Sequence, residues 1–108
     1  MEGSEKPPPK LLRKAAKALD AGDKCFNAKD FGDALIWYQK AVLAAPHDSC
    51  DRGGLASCFV ARSKAYQALK NFKNAVLDIG DALKIGKFDK DEQMKLLAMQ
   101  EECLRAMK

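Results

Sequence analysis

The amino-acid sequence predicts an all-α domain on three grounds. Apolar residues make up 47% of the 108 residues and charged residues 31%, while proline and glycine are few, a composition that favours globular helices. Apolar side chains recur at intervals of three and four residues along most of the chain, which is the period of one helix face. A segment that begins at Lys29 also returns 41 residues later at Lys70, so the sequence predicts a duplicated helical unit.

The first two helices are predicted between residue 10 and Pro46. Residues 1–9 are polar and end in three prolines, which predicts a flexible, proline-rich lead outside the folded domain. The apolar pattern then predicts one helix from residue 10 to about residue 28. Asp30 suits the N-cap of a second helix, and Pro46 ends that helix because proline cannot continue it.

Three more helices are predicted after a loop that contains two glycines. The third helix is expected from residue 55 to about residue 69, and the fourth from Asn71 to Gly86, where glycine favours a helix end. Asp89 and Asp91 are expected to open the fifth. The residues expected to face inward are Phe59, Val60, Ser63, Tyr66 and Leu69 in the third helix and Phe72, Ala75, Val76, Ile79, Ala82, Leu83 and Ile85 in the fourth.

Small and large residues occupy fixed positions of the duplicated unit. Small side chains are needed where paired helices nearly touch, at axis separations of roughly 8 to 10 Å, and large side chains fill the space beside them. The positions that carry this pattern are Gly22, Phe26, Phe31, Ala34, Tyr38, Ala41 and Pro46 in the first unit and Phe59, Ser63, Tyr66, Phe72, Ala75, Ile79 and Ala82 in the second. In these residues the chain resembles the tetratricopeptide repeat family, whose unit is a helix-turn-helix of about 34 residues.

The resemblance implies an α-solenoid of two helix-turn-helix repeats and a C-terminal capping helix within residues 10–108. It places repeat one at about residues 15–48, repeat two at about 56–89 and the capping helix at 90–107. The extra length of the unit falls in a loop at residues 49–55, because arrays of this kind accept insertions in loops. An unrelated five-helix bundle is the alternative architecture.

The resemblance also implies a binding function. Proteins with these repeats usually bind an extended peptide or a helix on the concave face formed by the first helix of each repeat. The chain is therefore expected to be a protein-binding adaptor whose ligand is a protein or peptide. The repeat register places the groove side at Ala16, Leu19, Asp23, Phe26 and Asn27, at Ser57, Val60, Ala61, Lys64 and Gln67, and at Asp91 and Lys95. All of these except Ala16, Ser57 and Asp91 form the predicted peptide-binding set.

Two subfamilies sharpen this expectation. Heat-shock co-chaperones hold the C-terminal carboxylates of chaperone tails with lysine, asparagine and arginine side chains, and the corresponding positions here are Leu19, Asp23, Ala61, Asp91 and Lys95. Two introduced carboxylates would repel such a tail, so chaperone tails are disfavoured as ligands. A second likeness, to the tetratricopeptide module of SET and MYND lysine methyltransferases, rests on segments 61–66, 78–79 and 82–86 and on the last helix, and implies a regulatory or docking piece.

A basic face on the first helix supports a rival function. It consists of Lys10, Arg13, Lys14 and Lys17, and the net charge of the chain is +4. The face is either a solvated surface or a small binding site for nucleic acid or an acidic surface. Nucleic acid is the less expected ligand, because no aromatic residue for base stacking precedes Phe26.

Catalysis, cofactors and metal ions are not expected. His47 is the single histidine and lies in a predicted loop, and the four cysteines, Cys25, Cys50, Cys58 and Cys103, lack a zinc-binding spacing. No apolar run has the length of a membrane span and residues 1–10 have no apolar core of a signal peptide, so the protein is expected in the cytoplasm or the nucleus. In such a reducing compartment, structural free thiols are favoured over a redox or metal role.

The oligomeric state is expected to be a monomer or a weak homodimer. With only two repeats, the flank of the last helix, which includes Met99 and Met107, is a surface through which two copies could pair.

Overall fold

A computed structural model describes residues 9–47 and 51–107, except for the side chains of Pro9 and Lys10. These residues form five α-helices and no strand: α1 (Pro9–Asn27), α2 (Phe31–Ala44), α3 (Leu55–Ala68), α4 (Phe72–Ile85) and α5 (Lys90–Ala106). The prediction of an all-α domain is confirmed, and the helix ends lie within one or two residues of the predicted ones.

The predicted lead lies outside the described residues except for Pro9. Pro9 is the first residue of α1, so the helix begins one residue before the predicted position. Proline is favoured at this position because the first amides of a helix have no partner within the helix.

The turn within the α1–α2 hairpin matches the turn within the α3–α4 hairpin. Lys29 and Lys70 both adopt the left-handed backbone conformation, with φ of 65° and 64°. Each turn has the same two backbone hydrogen bonds: Lys29 N to Phe26 O (2.9 Å) and Asp30 N to Cys25 O (2.8 Å) in the first, Lys70 N to Gln67 O (2.9 Å) and Asn71 N to Tyr66 O (2.8 Å) in the second. These paired bonds form a Schellman motif, which therefore recurs at the 41-residue spacing of the sequence.

The helix caps divide into two kinds. Asp30 and Asn71 lie at the predicted N-cap positions of α2 and α4, but neither side chain makes a capping hydrogen bond. Their ψ angles of 67° and 70° depart from the extended conformation that points a capping side chain at the first amides of the helix. At α5, Asp89 is extended and its carboxylate accepts from the amide of Glu92 at 2.8 Å, while the Glu92 carboxylate accepts from the Asp89 amide, a full capping box.

The main core lies among α1, α2 and α3 and is built largely from alanine. Its buried members are Ala15, Ala18, Leu19, Ala34, Tyr38, Ala41, Ala45, Leu55, Cys58 and Ala65. Such small side chains bring helix backbones close together. A Cβ added to Gly22 of α1 would lie 2.5 Å from the ring of Tyr38 in α2, which confirms the expected need for a small residue there.

The inward-facing residues of α3 and α4 were predicted only in part. Ser63 of α3 and Ala75, Ile79 and Ala82 of α4 are fully buried as expected. Cys58 of α3 is fully buried too. Leu69 and Ile85, however, are 45% and 41% exposed, so the prediction that they face inward is wrong. Leu69 lies just past the end of α3 and Ile85 is the last residue of α4, so neither is enclosed by a neighbouring helix turn.

A buried ion pair fastens α3 to α4 and to the first hairpin. The Arg62 guanidinium donates from Nε and Nη2 to the two carboxylate oxygens of Asp78, both at 2.8 Å, and from Nη1 to Oε1 of Gln39 in α2 at 2.6 Å. The side chains of Arg62 and Asp78 are only 15% and 5% exposed. The hydrogen bonds to Asp78 raise the pKa of Arg62, so the guanidinium is held in its charged form.

Each helix packs chiefly on its neighbours in the chain. α1 packs on α2, α2 on α3, α3 on α4 and α4 on α5, with a smaller contact between α1 and α3. The result is elongated, with extents of 50 × 29 × 19 Å. Across the described residues, none of the helices has both the length and the hydropathy that crossing a bilayer requires.

Candidate functional site

One surface groove runs along α1, α3 and α5. It consists of three adjoining hollows of about 310, 290 and 330 Å³ that share lining residues, so they form a single depression. Lys64 lines all three. From the α1 end to the α5 end, the lining residues are Asp23, Phe26, Asn27, Tyr38, Arg52, Ser57, Val60, Ala61, Lys64, Phe88, Glu92, Lys95, Leu96 and Met99.

The structure brings together seven of the nine predicted groove residues. The seven that line the groove are Asp23, Phe26, Asn27, Val60, Ala61, Lys64 and Lys95. Ser57, also predicted on the groove side, lines the groove. Gln67 is half-buried and does not line the groove. Ala16 and Asp91, also predicted on the groove side, do not line it either.

Leu19 corrects the predicted set. Its side chain is only 1% exposed and belongs to the same buried cluster as Ala15 and Tyr38. The prediction that Leu19 lines the groove is therefore wrong, because its side chain lies in the core among α1, α2 and α3 and not at the surface. Val60, which stands 41 residues later at the corresponding position of α3, does line the groove.

A hydrogen-bonded network fixes the α1 side of the groove. The Tyr38 hydroxyl donates to Oδ1 of Asp23 at 2.6 Å, and Nη2 of Arg52 donates to Oδ2 of the same carboxylate at 2.5 Å and to Oδ1 of Asp20 at 2.7 Å. The largest effect that raises the pKa of Tyr38 is burial of the ring, and the next largest is the hydrogen bond to Asp23. Hydrogen bonds to Asp20 and Asp23 likewise raise the pKa of Arg52. Both Asp23 oxygens are thus occupied and its charge is compensated.

The loop between the hairpins delivers Arg52 to this network. Gly53 is buried and has φ of 94°, and a Cβ at this position would lie 2.6 Å from the carbonyl oxygen of Leu12 in α1. The loop can approach α1 this closely only because Gly53 has no side chain. The amide of Leu55 donates to the carbonyl of Pro46 at 3.0 Å, which ties the two ends of the loop together.

The rest of the groove combines an apolar floor with separate charges. Val60, Phe88, Leu96 and Met99 supply apolar surface towards the α5 end. Lys64 and Lys95 supply positive charge, and Glu92 supplies a carboxylate whose Oε1 is engaged in the α5 capping box. Such a surface suits a ligand that has apolar side chains and a few polar groups along an extended length.

Sequence reasoning missed Tyr38, Arg52, Phe88, Glu92, Leu96 and Met99 as groove residues. Glu92 had a detectable signal, because Asp89 followed by glutamate three residues later is the spacing of a capping box. No sequence signal indicated Arg52, since only the folded loop shows that this side chain reaches Asp20 and Asp23.

The groove shows no arrangement typical of a metal or nucleophile site. Among the described residues, no cluster of three or more histidine, cysteine, aspartate or glutamate side chains could hold a metal ion. Cys25, Cys58 and Cys103 are free, and the prediction for Cys50 lies outside the described residues. Burial raises the pKa of the Cys58 thiol to about 12, which suppresses its reactivity.

The predicted basic face is a separate surface. Arg13, Lys14 and Lys17 are exposed along α1, while the side chain of Lys10 lies outside the described residues. Sequence reasoning found no aromatic residue near them, but the fold brings Trp37 of α2 beside Lys14 and Lys17.

Comparison of the chain with protein-family models, curated proteins and solved structures gave no match. The function is therefore inferred from the groove itself.

Proposed function

We propose that this protein is a protein–protein interaction adaptor that binds an extended peptide or a helix of a partner in the groove along α1, α3 and α5, without catalysis of its own. The observation that supports this most is the continuity of the groove: three hollows share lining residues such as Lys64. Only an elongated ligand can contact all of it.

The architecture behind this proposal is a tetratricopeptide-like solenoid of two hairpins, with α5 as the capping helix. Its support is the recurrence of one turn at Lys29 and Lys70 and the pairing of each helix with its chain neighbours. In such a stack the first helix of each hairpin forms the concave face. α1 and α3 hold these places here, and their residues line the groove.

The free thiols Cys25, Cys58 and Cys103 suit the cytoplasm or nucleus.

Chaperone tails remain disfavoured ligands, although for a changed reason. Asp23 is compensated by Arg52, so repulsion by its charge is weaker than its place in the sequence suggested. The stronger obstacle is that Leu19 is buried and Ala61 has no polar atom in its side chain, so two of the required contacts are missing. A micromolar dissociation constant for a Glu-Glu-Val-Asp peptide would overturn this expectation.

Affinity purification with matched variants tests the groove. The groove variant carries Val60→Glu and Lys64→Glu, which place acidic groups where the hollows adjoin. The control variant carries Leu77→Glu and Lys73→Glu on exposed positions of α4 that do not line the groove. Circular dichroism first establishes that both are folded.

Partners that wild type and the control variant retain, but the groove variant loses, are the expected result. The affinity of each should then be measured with purified components. If the same proteins bind all three forms, the groove is not the working surface. Leu19→Glu is unsuitable for this purpose, because it would place a charge in the core.

A further inference from the structure

A second hollow lies on the opposite flank of the first hairpin, between α1 and α2. It has a volume of about 340 Å³ and is lined by Lys14, Lys17, Ala18, Ala21, Trp37 and Lys40, a set called the basic cleft below. Trp37 is 37% exposed, and the Lys40 ammonium lies 4.5 Å from the centroid of its ring. The cleft is thus an apolar hollow with cations at its rim.

The cations of the basic cleft differ from the arginine of the groove. Every charged residue that lines the cleft is a lysine, and no carboxylate lines it. Arg52, by contrast, is tied to Asp20 and Asp23. The positive potential of the cleft is therefore not compensated by lining residues and favours a ligand that carries negative charge.

Comparison with the second hairpin shows that this flank is specialised. Lys14 and Lys17 correspond, 41 residues later, to Leu55 and Cys58. Leu55 and Cys58 are buried in the core cluster that α1 and α2 share with α3. Ala21 and Trp37 of the cleft correspond to Arg62 and Asp78, whose opposite charges pair with each other. The covered flank of the second hairpin thus combines apolar residues with a compensated ion pair, whereas the lysines of the basic cleft have no carboxylate among the lining residues.

We propose that the basic cleft binds an acidic segment of a partner protein. One apolar side chain of that segment packs on Trp37 and Ala18, and carboxylates on either side pair with Lys14, Lys17 and Lys40. A single-stranded nucleic acid fits less well, since Trp37 is the only tryptophan in the chain and one face of its ring already carries the Lys40 ammonium. This site is distinct from the groove and would let the adaptor hold two partners.

The single tryptophan makes the site directly observable. The probe is a capped synthetic peptide with glutamates on both sides of one leucine, and its match has glutamine in place of every glutamate. Addition of the acidic peptide should produce a saturable change in Trp37 fluorescence, while the glutamine peptide should produce none. Anisotropy of a dye-labelled acidic peptide provides a second measurement of the same affinity.

Charge-reversal variants locate the binding. Lys14→Glu with Lys17→Glu should weaken the acidic peptide about ten-fold or more, because like charges then face each other. Lys73→Glu with Lys90→Glu makes the same change of net charge on exposed residues of α4 and α5 and should leave most of the affinity. The groove variant, Val60→Glu with Lys64→Glu, should also retain it, which separates this site from the proposed groove.

Three results would overturn the proposal. Equal binding of the glutamine peptide would show that the carboxylates are not recognised. If both charge-reversal pairs weaken binding of the acidic peptide equally, the binding depends on the net charge of the protein and not on the basic cleft. Tighter binding of a single-stranded oligonucleotide, with saturable quenching of Trp37, would assign the basic cleft to nucleic acid instead.

Discussion

The two hairpins share a turn and a register, but their helices are locked together by different side chains. The first hairpin places Gly22 against the ring of Tyr38. At the corresponding positions the second hairpin has Ser63 and Ile79, which are both fully buried. The larger volume of Ser63 relative to glycine is offset by the smaller volume of Ile79 relative to tyrosine. The Ser63 hydroxyl donates to the carbonyl of Val60 at 2.6 Å. Small and large residues have thus changed together.

The charged residues of the two hairpins have separate roles. In the first, Asp23 forms an exposed pair with Arg52 of the loop between the hairpins, and both residues line the groove. In the second, Arg62 and Asp78 form a pair that is buried and reaches across to the first hairpin through Gln39. Breaking the exposed Arg52–Asp23 pair should therefore affect mainly the groove surface. Breaking the buried Arg62–Asp78 pair should affect mainly the stability of the fold.

The largest effect is expected from loss of the buried charge. Asp78→Ala should lower the free energy of unfolding by about 3 kcal/mol, because Arg62 is then left charged, buried and without its carboxylate. Asp20→Ala, at the exposed pair with Arg52, should cost less than about 1 kcal/mol. Urea denaturation of both variants measures the difference. Equal losses would show that burial does not distinguish these two ion pairs.

Overpacking of the first hairpin should have the next largest effect. Gly22→Ala should destabilise by about 2 kcal/mol, although alanine is the better helix former, because its Cβ would clash with the Tyr38 ring. Adding Tyr38→Ile, which introduces the residue that the second hairpin has at the corresponding position 79, should make the double variant more stable than the sum of the single changes predicts. Gly32→Ala is the control, since a Cβ there meets nothing within 4 Å. Strict additivity would contradict the direct contact.

Alkaline pH should weaken the core around α3. Burial raises the pKa of Cys58 to about 12 from an ordinary value near 9, so folding favours the neutral thiol. The stabilisation that this provides is complete below about pH 9 and is lost as the pH rises towards 12, at up to about 1.4 kcal/mol per pH unit. Tyr38, whose pKa is also raised, acts in the same direction above about pH 10.

Chemical denaturation between pH 8 and 11 measures this dependence. Cys58→Ala should show a shallower decline of stability with pH than wild type does, whatever its stability at neutral pH. Identical slopes would mean that Cys58 does not carry the effect.

Much of the helical frame could be predicted from the sequence because its signals are local. Apolar spacing, Pro46 and the residues around Lys29 and Lys70 set helix ends through the chemistry of single turns. The outward turn of Leu69 and Ile85 was not predicted, because helical periodicity does not show where a neighbouring helix stops covering the surface.

The groove could be predicted less completely, because its surface depends on contacts between distant segments. Register alone placed Phe26, Val60 and Lys64 together. It could not show that Leu19 is buried in the core, or that the loop between the hairpins brings Arg52 to Asp23. Periodicity fixes which positions of a helix share a face, whereas the neighbours of that face are set by tertiary packing.

The smallest expected effect tests whether the two turns are equivalent in stability. Lys29 and Lys70 both have left-handed backbone conformations. Lysine adopts this conformation at an energetic cost, whereas glycine adopts it without that cost. Lys29→Gly and Lys70→Gly should each stabilise the protein by about 0.5 kcal/mol, after allowance for the greater chain entropy of unfolded glycine. Alanine at either position retains the Cβ and should bring no such gain. Matching gains in urea denaturation would show that the turns are equivalent in energy as well as in geometry, whereas a gain at one site alone would mean that the duplication no longer extends to the stability of its turns.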